Sequence, residues 1–184
     1  RLNFGVFALH LMQTAMWVLV PAGLVRAGLP VAEHWKIYLP AVLLSFAVMV
    51  PAIIMAERKG AMKPVFNTAI ALLLVVQIGL YVEGSAGLWP LAILLTLFFV
   101  AFNVLEATQP SWSSKIAPAH AKGTALGVYN TLQSLGLFLG GALGGWLAQH
   151  EGPGAVSLLG GGLALVWLAL AAGMTPPARR VVPA

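Results

Sequence analysis

The charged residues of this chain are spaced so that six long uncharged stretches lie between them. The stretches cover residues 2–25, 37–56, 64–82, 84–105, 123–150 and 152–178. Each is mostly apolar and is about as long as the 20 or so residues that an α-helix needs to cross a bilayer. Membrane barrels use shorter strands of alternating polarity. A helix, in contrast, pairs all its backbone N–H and C=O groups within one segment, as lipid requires. The pattern predicts six transmembrane helices, over approximately residues 3–25, 36–56, 64–83, 88–109, 123–149 and 153–174.

The composition supports a chain that has lipid as its solvent. Hydrophobic residues make up 60% of the sequence and charged residues 8%, whereas a soluble domain needs far more charge on its surface. The absence of cysteine excludes a disulfide framework and a thiolate metal site. The net charge of +5 comes from basic residues at helix ends rather than on one patch, so we expect no nucleic-acid partner. We predict one all-α membrane bundle without a cofactor.

The distribution of basic residues predicts the orientation of the bundle. Six spans place both termini on one side of the membrane, and Arg26 and Lys36 alone lie on the other side. The basic residues on the terminal side are Arg1, Arg58, Lys59, Lys63, Lys115, Lys122, Arg179 and Arg180. By the positive-inside rule we expect both termini in the cytoplasm. The start at Arg1, directly before an apolar run, is typical of a piece of a longer chain.

Three glycines of the fifth span are spaced so that they share one helix face. Gly136, Gly140 and Gly144 recur every four residues. Missing side chains let a neighbouring backbone approach closely, which is the basis of small-xxx-small packing in membranes. We therefore expect a helix-packing face, which needs no ligand.

Glu106 is the one charged residue inside a predicted span. An acidic side chain at the centre of a membrane helix costs roughly 2.5 to 3.5 kcal/mol on the translocon scale, so it should have a partner. Pro110 and the segment 111–114 after it predict a loop, which places Glu106 one or two turns from the cytoplasmic end. Arg58, between the second and third spans, is the first candidate cation. The pair is either a static tie between two helices or a latch that breaks in another conformation.

Polar residues also recur within the first span. Gln13, Thr14 and Trp17 follow His10 at three, four and seven residues and build a polar and aromatic stripe, which must face protein or water. A neutral imidazole bonded to a neighbouring helix explains His10. The functional alternative is a residue that lines a substrate cavity or accepts a coupling proton.

Two further polar groups occur in later spans. Asn103 precedes Glu106 by three residues on a similar helix face. A second polar face in the fifth span consists of Tyr129, Asn130 and Gln133. These residues either form hydrogen bonds between helices or contact a ligand.

The motifs of common enzyme classes are missing from the sequence. Ser85 lies in a short loop whose glycines have the wrong register for a serine nucleophile. No phosphate-binding glycine loop, HExxH pair or acidic metal cluster occurs. We therefore expect neither an enzyme nor a metal site.

Several segments carry a resemblance to a known family. Glu57, Arg58 and Gly60 resemble a degenerate copy of the major facilitator loop motif, Gly-x-x-x-Asp-Arg-x-Gly-Arg-Lys, with Glu57 in place of the aspartate and Ile53 in place of the first glycine. More specific are the segments Leu2–Gly5 with Leu9 and His10, Ala32–Lys36, Phe98–Asn103 with Glu106 and Ala107, and Lys122–Ala125 with Gly127–Tyr129. Together they are similar to the C-terminal half of YajR-type major facilitator transporters.

The resemblance implies a fold and a function. The six spans would be helices seven to twelve of a proton-driven exporter of the drug-proton antiporter group in a bacterial inner membrane, arranged as two inverted three-helix repeats. It implies that His10, Gln13 and Asn103 face the substrate path. It also implies a cytoplasmic charge relay of Glu57, Arg58, Gly60 and Glu106.

Alternating access would require a partner for this bundle, either the missing N-terminal six-helix half or a second copy of the chain. The substrate would be a small amphiphilic or apolar compound, because the polar stripes carry few fixed charges. The alternative is a membrane scaffold without transport, which associates through its glycine-rich helix.

Overall fold

The computed structural model describes residues 1–83 and 87–175, without the side chain of Glu83. Its helices are α1 (Leu2–Arg26), α2 (Trp35–Arg58), α3 (Met62–Glu83), α4 (Leu88–Ile116), α5 (Lys122–His150) and α6 (Pro153–Ala172). Short 3-10 turns, Val31–Glu33 and Ala119–Ala121, precede α2 and α5. The predicted all-α class with six helices is confirmed. Ser85 and the basic pair Arg179 and Arg180 lie outside the described residues.

Five segments of the described chain are long and apolar enough to cross a membrane. They are α1, α3, α4, α6 and the segment Val31–Arg58, which contains α2. The remaining helix, α5, is as long as α4, with 29 residues each. Its glycines and polar side chains make it less hydrophobic than α4. Because α5 packs along α1, part of its surface has a protein neighbour instead of lipid.

The fourth helix is longer than the sequence pattern predicts. A loop was expected at residues 111–114, but α4 continues through Pro110 to Ile116, so this prediction is wrong. Proline lacks an N–H and leaves the carbonyl of Glu106 without its helical donor. Packing outweighs this loss, because Trp112 is 1% exposed and its ring lies 5.1 Å from that of Phe66 in α3. Glu106 is therefore about three turns from the end of its helix.

The helix contacts follow the pattern of two related halves. α1 packs on α5 as α4 packs on α2, and α1 packs on α6 as α4 packs on α3. The pairs α1–α4 and α3–α6 also pack together. Exchanging α1, α2 and α3 for α4, α5 and α6 maps the first four contacts onto one another in pairs and leaves the last two unchanged. This is the arrangement expected for two three-helix repeats.

The closest of these contacts, between α1 and α5, depends on the glycine face. Gly136, Gly140 and Gly144 are buried. A Cβ atom added to Gly140 would lie 2.8 Å from the Cα atom of Leu11, and one added to Gly144 would lie 2.9 Å from the Cα atom of Ala15. Real Cβ atoms essentially never approach a backbone this closely, so the packing requires glycine at these positions.

Candidate functional site

A buried polar cluster forms where α1, α4 and α5 meet. His10, which is 2% exposed, places its Nδ1 atom 2.8 Å from the carbonyl oxygen of Val6. Its Nε2 atom lies 2.8 Å from Nε2 of Gln133 and 3.2 Å from Oε2 of Glu106. The edge of the imidazole packs against the ring of Phe102, with 5.9 Å between the ring centroids. Each of the three helices thus contributes one polar side chain to the same point.

The hydrogen-bond partners of His10 restrict where its protons are. A carbonyl oxygen only accepts, so Nδ1 donates to Val6 and carries a proton. In the neutral ring, Nε2 then has a lone pair, to which the Gln133 amide can donate. Turning that amide over would place its oxygen against the lone pair, and the contact would then also need a proton on Nε2.

The contact between His10 and Glu106 requires a further proton to become favourable. An ionised carboxylate is repelled by a nitrogen lone pair, whereas a protonated ring or carboxyl group turns the 3.2 Å contact into an attraction. Oε2 of Glu106 is buried and has no hydrogen-bond partner among the described residues. The Glu106 side chain as a whole is 35% exposed, so water reaches part of it. The contact therefore brings two ionisable side chains of α1 and α4 together at a point that water reaches in part.

Other buried polar atoms on α4 and α5 lack a partner within the described part of the chain. The hydroxyl of Tyr129 in α5 makes no hydrogen bond and lies within electrostatic reach of Glu106. Gln109, one turn after Glu106, is fully buried with both amide atoms unpaired. Buried polar groups are normally satisfied, so these atoms indicate a region of α4 and α5 that is built for more than packing.

The structure gives Glu106 a partner that was not predicted, and the pair with Arg58 stays a prediction. Glu106 lies against His10, and it is Glu57 that connects the end of α2 to α4. Glu57 accepts a hydrogen bond from Ser111 at 2.7 Å and forms an ion pair with Lys115. Because α4 continues past Pro110, Glu106 lies about 13 Å deeper along the helix than Lys115. Arg58 ends α2 next to this contact.

Gly60 has a structural role in the same segment. Its φ angle is +71°, in the left-handed region that favours glycine. The N–H of Ala61 returns to the carbonyl of Met55 at 3.2 Å, which ends α2 and starts the turn into α3. The glycine thus shapes the turn that follows Glu57 and Arg58.

The structure separates the other residues of the predicted polar stripe. The hydroxyl of Thr14 lies 3.0 Å from the carbonyl oxygens of both His10 and Leu137, so it joins α1 to α5. Trp17 packs its ring against Tyr38 of α2 at 5.3 Å and Phe99 of α4 at 6.3 Å. One turn of α1 therefore binds α5, and the next carries an aromatic cluster with α2 and α4.

The remaining candidates differ in their surroundings. Asn103 donates to the hydroxyl of Ser45 in α2 at 2.7 Å, so it lies apart from the His10 cluster. Gln13 is half-buried, and Asn130 is exposed on α5. Sequence reasoning missed three partners, Ser45, Ser111 and Lys115. The last two lie four residues apart on one face of α4, but the predicted loop at 111–114 concealed this spacing.

The glycine face contacts α1 of the same chain. The scaffold alternative required this face to bind another protein, but Gly136, Gly140 and Gly144 are covered by α1. Gly141 and Gly145 face open space, but they are not on the predicted ridge. The contacts of α5 therefore give the scaffold alternative no support.

Six membrane-length helices around a buried polar cluster form the architecture of a membrane transport protein. The family model of the Major Facilitator Superfamily matches residues 2–184. The chain is 47% identical to the inner membrane transport protein YajR of Escherichia coli (strain K12), over 96% of this chain and 39% of that protein. It is 30% identical to the uncharacterized transporter BU466 of Buchnera aphidicola, over 76% of this chain and 36% of that protein.

A fourth comparison adds a relative with a named role. The chain is 32% identical to the multidrug resistance protein MdtH of Cronobacter sakazakii, over 66% of this chain and 29% of that protein. The chain belongs to the Major Facilitator Superfamily, and the resemblance to YajR-type transporters is confirmed. It is a multi-pass protein of the inner membrane, and it spans less than half the length of the relatives it matches.

Proposed function

We propose that this chain forms one half of a proton-coupled secondary transporter, which exports small amphiphilic or apolar compounds by alternating access. The contact between Nε2 of His10 and Oε2 of Glu106 carries the proposal. One proton changes this contact from repulsive to attractive, and buried ionisable pairs inside membrane bundles are typical of proton relays. The pair would hold the coupling proton during one part of the cycle.

The position of the pair supports a link between protonation and helix movement. His10 and Glu106 lie on α1 and α4, which are counterparts in the two three-helix repeats. A proton that strengthens or weakens their attraction changes the relative stability of two arrangements of these helices. Such a bias is what couples proton binding to alternating access.

Two observations support an amphiphilic or apolar substrate. The aromatic cluster of Trp17, Tyr38 and Phe99 offers flat apolar surface, and Trp17 is 43% exposed. The similarity to a protein named for multidrug resistance agrees with export of such compounds. His10, Gln13, Thr14, Asn103 and Gln133 would line the substrate or proton path together with Trp17 and Asn130.

The exposed surface of α5 supports the need for a second bundle. Asn130, Thr131 and Ser134 are exposed in the first half of this helix. The hydroxyls of Thr131 and Ser134 donate to carbonyls of the same helix, but the amide of an exposed asparagine is poorly suited to lipid. The missing N-terminal six-helix half, or a second copy of this chain, would cover this surface and enclose a water-filled path. In this arrangement both termini and the contact between Glu57 and Lys115 face the cytoplasm.

The proposal is tested by transport in vesicles that contain this chain together with an N-terminal six-helix half. Efflux of a panel of fluorescent amphiphilic dyes is measured with and without a pH gradient. We expect His10→Ala and Glu106→Gln to abolish the part of the flux that depends on the gradient, while both proteins remain folded. The matched control is Glu151→Gln, which removes an exposed carboxylate just after the C-terminal end of α5, away from the His10 cluster. It should leave the flux unchanged.

Two results would contradict the proposal. The first is gradient-driven flux that persists in both His10→Ala and Glu106→Gln. The second is full transport by the 184-residue chain as a monomer, since one bundle supplies only one wall of the path.

A further inference from the structure

A cavity with a polar wall lies at the end of the bundle opposite Arg1, where α1, α3, α4 and α6 meet. It has a volume of about 140 Å³. Its polar wall consists of Arg26, Tyr81, Gly154 and Ser157, and leucine side chains from α1, α3 and α4 form the apolar remainder. This cavity shares no residue with the His10 cluster, and the transport mechanism proposed above does not use it.

The first turn of α6 forms one wall of this cavity. The helix is 20 residues long, and its N-cap residue, Gly152, provides no side chain to satisfy the first backbone donors. No acidic residue occurs in the first turn, and Pro153 has no N–H, so Gly154 supplies the first backbone donor. The helix dipole places partial positive charge at this end, which favours an anion.

Glycine at position 154 also keeps this donor accessible. The ring of Tyr81 lies 3.3 Å from the point where a Cβ atom of residue 154 would be. A larger residue would fill the space between the helix end and the ring. Glycine at this position therefore leaves space between the start of α6 and the ring of Tyr81.

Ser157 provides an independent indication of a ligand. It is 2% exposed and lines the cavity, yet its hydroxyl makes no hydrogen bond with any described residue. Serine in a helix usually donates to the carbonyl four residues earlier, or its hydroxyl is hydrated. The hydroxyl is therefore free to donate to an acceptor that enters the cavity.

Arg26 supplies a full positive charge at the cavity mouth. The ion pairs of the described residues involve Glu33, Glu57 and Glu106, and none of them includes Arg26. Glu151 precedes α6 in sequence, but it does not line the cavity. A guanidinium has the geometry to bind two oxygens of one phosphate group.

We propose that this cavity binds a phosphate group. Arg26 pairs with its charge, while the N–H of Gly154 and the hydroxyl of Ser157 donate to its oxygens. The bound group would connect the outer end of α1 to the start of α6. Its source is either free inorganic phosphate or the headgroup of an anionic phospholipid, since both present the same oxygens.

The test measures binding of inorganic phosphate to the lipid-free chain in a non-ionic detergent. Thermal unfolding is followed by tryptophan fluorescence as phosphate replaces chloride at constant pH and ionic strength. We expect the unfolding midpoint to rise and saturate for the natural chain. Arg26→Gln and Ser157→Ala should each raise the apparent Kd at least about tenfold, because each removes a hydrogen bond to a charged group.

Lys36→Gln is the matched control, since it removes an exposed positive charge on the same side of the bundle. It should leave the apparent Kd unchanged. An unsaturable response, or equal losses in Lys36→Gln and Arg26→Gln, would overturn the proposal. Ser157→Ala keeps the test decisive if Arg26→Gln fails to fold, because it changes no charge.

A second measurement separates the two sources of phosphate. The chain is placed in nanodiscs of a neutral galactolipid, which carries no phosphate, with or without phosphatidylglycerol. If the headgroup is the ligand, phosphatidylglycerol should stabilise the natural chain and suppress the response to phosphate, and Arg26→Gln should remove this stabilisation. If free phosphate is the ligand, its effect should be the same in both lipid mixtures. No response to either compound would overturn the proposal.

Discussion

Replacing Gly140 by alanine tests the contact between α1 and α5 that positions the polar cluster. The added methyl group would meet the hydroxyl of Thr14 and the carbonyl oxygen of Leu11, and it would lie 2.8 Å from the Cα atom of Leu11. Backbone atoms cannot rotate aside, so the two helices must separate. Gly141 is one residue away on the same helix, and a Cβ atom there meets nothing within 4 Å.

The expected magnitudes follow from opposing contributions. Overpacking costs about 1 to 3 kcal/mol, and loss of the Thr14 bond to α5 adds about 0.6 kcal/mol. Alanine gains about 0.5 to 1 kcal/mol over glycine from helix propensity. For Gly140→Ala the clash dominates, and we expect a destabilisation of about 2 kcal/mol. For Gly141→Ala only the propensity gain remains, so we expect a stabilisation of about 0.5 kcal/mol or more.

Equilibrium unfolding in mixed detergent micelles, followed by tryptophan fluorescence, measures both free energies of unfolding. The natural chain and the two variants are compared under the same conditions. If Gly140→Ala is as stable as Gly141→Ala, the two helices are not in close contact at this point, and the reasoning about the glycine face is refuted.

Four further substitutions test three individual contacts between helices. Lys115→Met breaks the partly exposed ion pair with Glu57 and should lower the free energy of unfolding by less than about 1 kcal/mol, with a smaller effect in high salt. Asn103→Leu should show a coupling of about 0.6 kcal/mol with Ser45→Ala in a double-mutant cycle of unfolding free energies, because the hydrogen bond joins these two residues. Thr14→Val keeps the side-chain shape but loses the bond to α5, so unfolding measurements should show a cost of about 0.6 kcal/mol.

The helices could be predicted from the sequence because, in lipid, helix formation depends mainly on the residues of the segment itself. Each membrane helix satisfies its own backbone, so apolar length and the spacing of charges locate it. The end of α4 was missed because Pro110 and the serines after it are local signals for a turn. What extends this helix is the packing of Trp112 against Phe66, which the local sequence does not reveal.

The members of the polar cluster were predictable, but not their arrangement. His10, Glu106 and Gln133 were each identified as polar residues in apolar surroundings, where such residues need partners. The hydrogen bond between His10 and Gln133 joins residues 123 positions apart, so it depends on how α1 and α5 rotate and pack. The contact of Glu106 with His10 was not predicted, because the wrong end of α4 placed the carboxylate too near the loop that carries Arg58.

The most direct test of the central claim is ¹⁵N NMR of the histidine rings during a pH titration, with the His10 signals assigned by His10→Gln. We expect Nδ1 of His10 to stay protonated throughout, because it donates to Val6. Nε2 should gain and lose a proton, and Glu106→Gln should change the pH at which it does so, whereas Glu151→Gln should not. A titration of Nε2 that Glu106→Gln leaves unchanged would contradict a proton site shared by these two residues.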